Sequence, residues 1–390
     1  MRTLAVFHLG GVGGPSRSLV HVMSRLGERG TVEFIVPGSG PTEAEYGAIG
    51  EVTVADYAAL TYARSLREGA ALIRRLLRDV RYFRRELRRR RPDLVIAVTT
   101  VLPALLVAAR LERVPTVVYA AELYGQEGKG APLLRLWGTL LARGTALLSD
   151  AIVCCSLAVA QQFPRGGRKL VTVAYPPIGR SYEGGSREAA RARYGLEAAD
   201  PCVVVAGSVS RGRGQDVALR ALASIRRRFP AARLLVVGAP HPRLVDREFD
   251  AELRRLAEQL GVTDAVVFAE PTEAMADVYA GADVVVNPAR VAEAFGRVAP
   301  EALVAGRPVV ASRVGAIPEV IRDGVDGLLV RPDEPDELAA AVIRLVEDPE
   351  LATRLVSAGR RRVLEEFGHE RDLAGWIAAI ESAVSGRRRA

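Results

Sequence analysis

The apolar residues of the chain fall into short runs that alternate with stretches of helical spacing. Continuous runs of β-branched and small apolar residues are typical of strands buried on both faces, and helices between them indicate parallel βαβ units. The pattern therefore predicts an α/β protein with two doubly wound parallel sheets. Six runs lie in the first half, at 3–9, 32–37, 93–99, 116–122, 151–156 and 170–175, and six in the second, at 201–207, 232–238, 265–270, 283–288, 308–314 and 327–332.

A turn-rich, apolar-poor segment interrupts this alternation at 177–186. Such segments mark domain boundaries. We predict a Rossmann-like N-terminal domain over 1–178 and a Rossmann-like C-terminal domain over 179–370. A C-terminal helix over 371–390 is a candidate to cross back to the first domain. Open α/β sheets bind ligands beyond the carboxyl ends of their strands, so a cleft between the two sheets is the expected site.

Composition narrows the class of protein. The chain has 390 residues, 49% of them hydrophobic and 26% charged, which is ordinary for a globular protein and excludes a disordered chain or a collagen. Its apolar runs are shorter than the ~20 uncharged residues of a membrane span, and the N-terminus has the pattern of a strand rather than of a signal peptide. Cys154, Cys155 and Cys202 lie in apolar runs without a C-x-x-C pair. These features predict a cytoplasmic protein with reduced thiols and no metal site.

The basic charge is concentrated in one predicted helix. The net charge is +8, almost all of the cations are arginines, and residues 64–91 alone hold twelve arginines against three acidic residues. The apolar stripe of this helix should pack on the first sheet and leave a cationic face outward. That face could bind an anionic membrane or a polyprenyl-phosphate acceptor, or it could simply be solvated. Nucleic acid is not an expected partner, because no aromatic interleaving or known motif accompanies the arginines.

Two glutamates at 293 and 301 flank a turn that opens a helix. The turn contains Phe295 and Gly296, and helical spacing extends from about 297 to 305. The start of a helix presents unpaired N–H groups and the positive end of the helix dipole, which suits a pyrophosphate. Glu293 and Glu301 could then bind hydroxyl-bearing rings on either side of the phosphates.

This stretch resembles the donor signature of the retaining glycosyltransferases of family 4, which have the GT-B fold. The resemblance is nearly continuous over 283–332 and includes the runs at 305–312, 315–321 and 323–330. It implies that Glu293 binds sugar hydroxyls and Glu301 binds the ribose. The backbone of Phe295, Gly296 and Arg297 would contact the phosphates and the sugar.

A second loop, at 207–216, follows the first strand of the second half. Glycines and cations between a strand and a helix suit phosphate binding. Relatives place an arginine where this chain has Ser208 after Gly207, and a lysine where it has Arg213. Arg213 can neutralise a leaving diphosphate. Arg211 is a second candidate, which would compensate for Ser208.

The first half resembles the family more loosely. The resemblance implies that the domain over 1–178 binds the acceptor and that the domain over 179–370 binds the nucleotide-sugar donor. The segment 10–19 is similar to the glycine loop after the family's first strand, so Gly13 and Gly14 are candidate donor contacts. A plain tight turn remains an alternative, and an NAD site is disfavoured because no acidic residue follows the second strand. Many relatives have a histidine at the position of Ala121. Glu122 is the remaining polar candidate there, either in the site or in a capping or domain contact.

The resemblance implies a retaining transfer of a hexose from a nucleotide diphosphate sugar, such as a UDP- or GDP-sugar, to a hydroxyl. The acceptor would be a glycan, a lipid-linked sugar or a small molecule in bacterial polysaccharide or natural-product assembly. The leaving diphosphate would take the acceptor's proton, with Glu293, Arg213 and Glu122 as catalytic residues and no cofactor or metal.

Other functions are also compatible with two such domains. A catalytically degenerate subunit that partners an active glycosyltransferase is the main alternative, and the substitutions at Ala121 and Ser208 permit it. A pyridoxal-phosphate phosphorylase is excluded, because no lysine follows Lys169. A nucleotide-sugar epimerase would need additional carboxylates and histidines that the sequence does not identify. A peripheral position on the inner face of the plasma membrane is a further expectation from the basic helix.

Overall fold

The computed structural model describes residues 1–9, 14–57, 59–60, 66–124, 132–164, 170–240 and 244–388. The chain divides into two compact units. The first consists of Met1–Pro177 together with His369–Ala390, and the second is Ile178–Gly368. The second unit is thus continuous in sequence, whereas the first is completed by the last segment of the chain.

The first unit is built on a parallel sheet in the strand order β3-β2-β1-β4-β5-β6-β7. Because β1 lies between β2 and β4, the direction of the strand order reverses beside it, and this is where open sheets of this type leave room for ligands. The seven strands are β1 (Arg2–Phe7), β2 (Thr31–Val36), β3 (Glu51–Val54), β4 (Leu94–Val98), β5 (Thr116–Ala120), β6 (Ala151–Cys154) and β7 (Leu170–Val173).

Helices connect these strands. The helix that precedes β4 shares a core with that strand. Its buried Phe83 and Leu87 lie in the same hydrophobic cluster as Val95 and Ala97 of β4. The helices are α1 (Gly14–Gly27), α2 (Pro41–Gly47), α3 (Leu66–Arg90), α4 (Pro103–Leu111), α5 (Pro132–Leu148) and α6 (Leu157–Ala160). Within this layer α4 packs against both α3 and α5.

The second unit repeats the doubly wound plan with six parallel strands in the order β10-β9-β8-β11-β12-β13. The strand order reverses between β8 and β11. The strands are β8 (Cys202–Ala206), β9 (Arg233–Val237), β10 (Val266–Ala269), β11 (Val284–Asn287), β12 (Val309–Ser312) and β13 (Leu328–Val330). The helices are α7 (Arg187–Arg193), α8 (Gln215–Arg228), α9 (Leu244–Gln259), α10 (Met275–Gly281), α11 (Val298–Val304), α12 (Ile317–Val320), α13 (Pro335–Glu347) and α14 (Pro349–Glu366).

The last helix, α15 (His369–Arg388), returns to the first unit and packs on β5, β6 and β7. Trp376 is fully buried there, with its ring centroid 5.4 Å from that of Tyr119. Asp372 lies 2.8 Å from His21 Nε2 on α1. Burial raises the pKa of Asp372, and the contact with His21 opposes this shift. The helix therefore contributes core residues rather than a loose tail.

The structure confirms the two predicted parallel sheets, and each predicted apolar run contains a strand. The strand β3 was not predicted, because it is short, lies at the edge of the sheet and leaves its residues half-buried or exposed. The helices α14 and α15 follow each other closely along the chain, but they belong to different units. None of the helices in the described part of the chain is both long and apolar enough to cross a membrane.

Candidate functional site

Two loops of the second unit meet at the carboxyl edge of β8 and β11. The first runs from Gly207 through a short 3₁₀ helix at Arg211–Arg213 to α8, and the second runs from 288 to 297. The Arg290 N–H donates to the Gly212 carbonyl at 2.9 Å. Gly214 has φ +71°, and a Cβ there would lie 1.9 Å from the Pro288 oxygen. The two loops therefore pack backbone against backbone, which requires glycine at 214.

Glu293 is held at this edge from several sides. Its side chain is 7% exposed, and its Oε1 accepts a hydrogen bond from Arg213 Nη1. Its Oε2 lies 3.4 Å from the Asn287 amide nitrogen, and its main-chain oxygen accepts from the Ala316 N–H at 2.9 Å. Arg213 is 43% exposed. A buried carboxylate is thus paired with an arginine that also reaches solvent.

Gly296 leaves the space that the Glu293 carboxylate occupies. It has φ +79°, and a Cβ there would lie 2.9 Å from Glu293 Oε2 and 2.2 Å from Ile317 Cδ1. The next residue, Arg297, caps α11 at its start. The Phe295 side chain is buried and packs against Phe367 at 5.8 Å between ring centroids. Only the backbone of Phe295 is therefore available for the ligand contact that the sequence predicts.

Glu301 is also buried, and three donors bind its carboxylate. Tyr182 donates at 2.8 Å and Arg297 Nε at 3.0 Å to one oxygen, and Tyr279 donates at 2.9 Å to the other. Burial, and next to it the Glu301 charge, raises the pKa of both tyrosines, so both hydroxyls stay protonated. An ionised carboxylate can accept about four hydrogen bonds. Glu301 is therefore fixed in orientation with one acceptor position left.

The two candidate phosphate arginines point to different partners. Arg211 forms an ion pair with Glu252 at 2.6 Å, and its guanidinium lies 5.0 Å from the centre of the Phe249 ring. Arg213 alone of the two contacts Glu293. Ser208 is exposed, and its carbonyl accepts from the Gln215 amide at 3.1 Å. The structure brings together Arg213, Glu293 and Gly296, but it draws Arg211 toward α9.

Sequence reasoning missed the side chains that hold this arrangement. Arg290 bridges Asp216 at 2.8 Å and Asp333 at 2.7 Å, which ties the second loop to the start of α8. Tyr182 and Tyr279 orient Glu301. Asn287 ends β11, and this position beside the motif was the only sequence signal for any of these residues. The others are distant in sequence from the groups that they bind.

In the first unit, Glu122 lies just beyond β5 and contacts the end of β4. Its Oε2 is 3.2 Å from the Ala121 nitrogen and 3.4 Å from Thr100 Oγ1. Burial raises the pKa of Glu122 to about 7, although these hydrogen bonds oppose the shift. The carboxyl therefore changes charge near neutral pH.

Gln162 fixes the backbone that carries Glu122. Its amide donates to the Glu122 carbonyl at 2.9 Å and accepts from the Tyr124 N–H at 2.6 Å. The Tyr124 hydroxyl donates to Thr100 Oγ1. Of the predicted glycine contacts in this unit, Gly13 lies outside the described residues and Gly14 is the first residue of α1.

Comparison with known proteins decides the family. The model of the group 1 glycosyl transferases matches residues 186–362, and the model of glycosyltransferase family 4 matches residues 12–180. The chain belongs to the group 1, family 4 glycosyltransferases. The predicted family is confirmed, and the two matches meet near the boundary between the two units.

The curated relatives of this glycosyltransferase include D-inositol 3-phosphate glycosyltransferases. The one from Segniliparus rotundus is 36% identical over 206 residues, which are 52% of this chain and 44% of that protein. The one from Nocardia farcinica is 40% identical over 191 residues, which are 48% of this chain and 41% of that protein. The chain thus spans less than half the length of these relatives.

Solved structures show the same fold. Anabaena HepE in complex with UDP-glucose has a TM-score of 0.82 and 21% identity, and the match covers 98% of this chain and 100% of that one. Sucrose-phosphate synthase from Thermosynechococcus elongatus has a TM-score of 0.79 and 20% identity, with 99% and 100% covered. These matches confirm the GT-B fold of this glycosyltransferase.

Proposed function

We propose that this chain transfers a hexose from a nucleotide diphosphate sugar to a hydroxyl group, with retention at the anomeric carbon. The observation that carries the proposal is the Glu293–Arg213 pair, held by Gly296 and Asn287 at the carboxyl edge of β8 and β11. It lies within the region that matches the group 1 family. A sugar hydroxyl and a phosphate would each take one member of this pair as its partner.

The donor would be bound along the two loops of the second unit. Glu293 would accept hydrogen bonds from sugar hydroxyls, Arg213 would neutralise the diphosphate, and Glu301 would bind the ribose. Gly207, Ser208 and the backbone of 295–297 would line the diphosphate. UDP-glucose is the first donor to test, because HepE was solved with it and has the same fold. GDP-sugars are the second choice.

The reaction would break the bond between the anomeric carbon and the diphosphate oxygen, and form the bond to the acceptor oxygen on the same face. The acceptor's proton would pass to the leaving diphosphate. The protein would supply orientation and charge stabilisation, with Arg213 closest to the developing charge. We propose that neither a metal nor a cofactor takes part. Within the described residues, no group of three His, Cys, Asp or Glu side chains could hold a metal ion.

We place this activity in the cytoplasm, with α3 and α5 against an anionic membrane. Ile73 and Leu77 on α3 are 60% and 53% exposed, although the helix is rich in arginine. Among the described residues, Arg74, Arg75, Arg81 and Arg85 have no ion-pair partner. Leu136, Leu140 and Leu147 are exposed on α5, which packs against α4, as α3 does. Arginines beside exposed aliphatic side chains favour anionic lipid. The three buried thiols are compatible with a reducing compartment.

Co-sedimentation with vesicles tests this placement. The full chain should bind phosphatidylglycerol-containing vesicles better than phosphatidylcholine vesicles. The double variant Ile73→Glu/Leu77→Glu should lose binding, whereas Val325→Glu, at a residue of the second unit that is 48% exposed, should keep it. Equal binding by both variants would argue against this face.

The activity is tested with purified protein and a panel of nucleotide sugars. One nucleotide diphosphate should raise the melting temperature, and its sugar should be consumed when polyol or sugar acceptors are added; a ligand at 100 times its Kd adds about 2.7 kcal/mol of stability. NMR of the product would report the anomeric configuration. Binding without turnover would favour the degenerate-subunit alternative, and inversion would refute retention.

A further inference from the structure

A cleft of about 640 Å³ lies at the amino edge of the first sheet, where α3 leads into β4 and α4 leads into β5. We call it the amino-edge cleft and define it by its lining residues, which come from the stretches 87–93 and 112–115. The Val95 N–H donates to the Pro115 carbonyl at 2.8 Å and so joins the two turns. Small-molecule sites usually have volumes of about 300–1,000 Å³, so the cleft is large enough for a ligand.

Both helices that enter the cleft end on an arginine in the left-handed conformation. Arg91 follows α3 with φ +47°, and its N–H donates to the Leu87 carbonyl at 2.9 Å. Arg113 follows α4 with φ +56°, and the Val114 N–H closes the turn on the Ala109 carbonyl at 2.9 Å. Such helix ends usually carry glycine, because a side chain is strained at positive φ. The chain thus holds two side chains at the cleft where the backbone favours none.

The helix dipole does not explain these two arginines. Cations are favoured at the carboxyl end of a helix, but the effect is confined to its last turn. The last turn of α3 already contains three arginines at 88–90, and the last turn of α4 contains Arg110. Arg91 and Arg113 lie beyond those turns and line the cleft, so the cleft itself gives a reason for their side chains.

The acidic residues of the lining leave the cleft with an excess of positive charge. Glu112 is paired with Arg88 at 2.8 Å and with Arg84 at 2.6 Å, and their hydrogen bonds lower the pKa of its carboxyl. Asp93 accepts from the main-chain N–H of Arg2 at 2.7 Å. Glu112 is therefore already neutralised, and Asp93 is the one other carboxylate of the lining.

We propose that the amino-edge cleft binds a phosphate monoester, with Arg91 and Arg113 as its charged contacts. Both side chains are exposed, and among the described residues neither has an ion-pair partner. Guanidinium groups bind phosphate oxygens through paired N–H donors. A monoester carries close to two negative charges at neutral pH, which matches two such cations.

The ligand of this cleft is not a reactant of the glycosyl transfer. Sheets of this type bind their substrates beyond the carboxyl ends of the strands, and the cleft lies at the amino ends of β4 and β5. The inference therefore does not depend on the proposed transfer reaction. A phosphate monoester here would be an effector in solution or the headgroup of a lipid.

Phosphorus NMR titration of glycerol 3-phosphate with the full chain, at constant ionic strength, tests the proposal. The probe should bind with a Kd of about 1 mM, and Arg91→Gly and Arg113→Gly should each weaken binding about tenfold. Neither substitution should lower the melting temperature, because glycine adopts positive φ without strain. Arg110→Ala is the matched control: it removes an exposed cation next to the cleft but outside its lining, and it should leave binding unchanged.

Vesicles distinguish the two sources of the phosphate. If the cleft binds a lipid headgroup, the wild type should prefer phosphatidic acid to phosphatidylglycerol in vesicles of equal surface charge, and the double variant Arg91→Gly/Arg113→Gly should lose that preference. If the wild type binds glycerol 3-phosphate but shows no such preference, the ligand is a soluble monoester. Either result supports the cleft.

Three results would overturn the proposal. The first is no binding of glycerol 3-phosphate or phosphatidic acid. The second is binding that the double variant Arg91→Gly/Arg113→Gly leaves unchanged, or that Arg110→Ala weakens equally, since diffuse surface charge would then be the cause. The third is binding that Arg213→Ala abolishes while both glycine variants keep it, which would assign the phosphate to the donor loops of the second unit.

Discussion

The two units have the same doubly wound plan, yet the carboxyl edges of their sheets are chemically different. In the second unit, the edge is charged and ion-paired, with Glu293 bound by Arg213 and the loops packed through Gly214. In the first unit, the described part of the edge carries Glu122, whose pKa is raised to about 7 by burial, beside a strained threonine. The same doubly wound plan thus carries an ion-paired carboxylate at one edge, and at the other a carboxyl whose charge changes near neutral pH.

The largest effect should come from Glu293. Glu293→Gln removes the negative charge but keeps the shape, so it should lower kcat by about a thousandfold if the carboxylate binds the sugar in the transition state. Binding of bare UDP should change little, because UDP lacks the sugar. Steady-state kinetics and a UDP titration would measure both. An unchanged kcat would show that the Glu293 carboxylate does not bind the sugar in the transition state.

Arg213 should have the next largest effect. Arg213→Ala removes the cation beside the diphosphate and should lower kcat by about a hundredfold, the typical loss for one such donor. Arg211→Ala is the matched control, since Arg211 is paired with Glu252 and should cost less than Arg213. If the Arg211 variant were the weaker enzyme, the phosphate role would belong to Arg211.

A substitution of Tyr279 tests whether its hydrogen bond orients the Glu301 carboxylate for binding the ribose. Tyr279→Phe removes one of its three donors and should raise the KM for the nucleotide sugar about tenfold, with little change in kcat. The variant should also distinguish less between UDP and 2′-deoxy-UDP than the wild type does. Tyr194→Phe is a suitable control, because the Tyr194 hydroxyl has no hydrogen-bond partner among the described residues. Unaltered discrimination in Tyr279→Phe would mean that Glu301 does not bind the ribose.

The smallest effect concerns the pH dependence of stability in the first unit. The pKa of Glu122 is raised from 4.5 to about 7, so the folded protein holds this proton more tightly than the unfolded chain does. The stability linked to that proton is present in acid and is lost as the pH rises through 7. Glutamine cannot lose this proton, so the wild type should lose stability relative to Glu122→Gln as the pH rises. At roughly 2–4 °C per kcal/mol, the melting temperature of the variant should gain a few degrees over that of the wild type between pH 5 and pH 8. A melting-temperature difference that does not vary with pH would contradict the raised pKa of Glu122.

The fold could largely be predicted from the sequence, because strands that are buried on both faces consist of continuous apolar runs. The edge strand β3 left no such run, since its side chains are partly exposed. The turn around Gly296 was readable for a similar reason: its residues act within one short stretch of chain. Patterns that lie within one short stretch of chain can be recognised in a single sequence.

The hydrogen-bond and ion-pair partners of the motif residues could not be predicted from the sequence. Tyr182 reaches Glu301 across 119 positions, and Arg290 reaches Asp216 across 74. Arg211 and Arg213 are two positions apart on one loop, and only the 3₁₀ helix between them turns one toward Glu252 and the other toward Glu293. Thr99 carries no sequence signal at all, because its positive φ arises from the strand ends around it.

The return of α15 to the first unit has a consequence for synthesis on the ribosome. Residues 178–368 form a continuous unit whose core can close as soon as they have left the exit tunnel. Residues 1–177 of the first unit are translated earlier, but Trp376 and the helix that packs on β5, β6 and β7 are translated only after the second unit. In the nascent chain, the part of the first sheet that α15 covers therefore stays uncovered until the whole second unit has been made. Any fusion or truncation within 369–388 acts on the first unit, although the whole second unit separates this segment from residues 1–177.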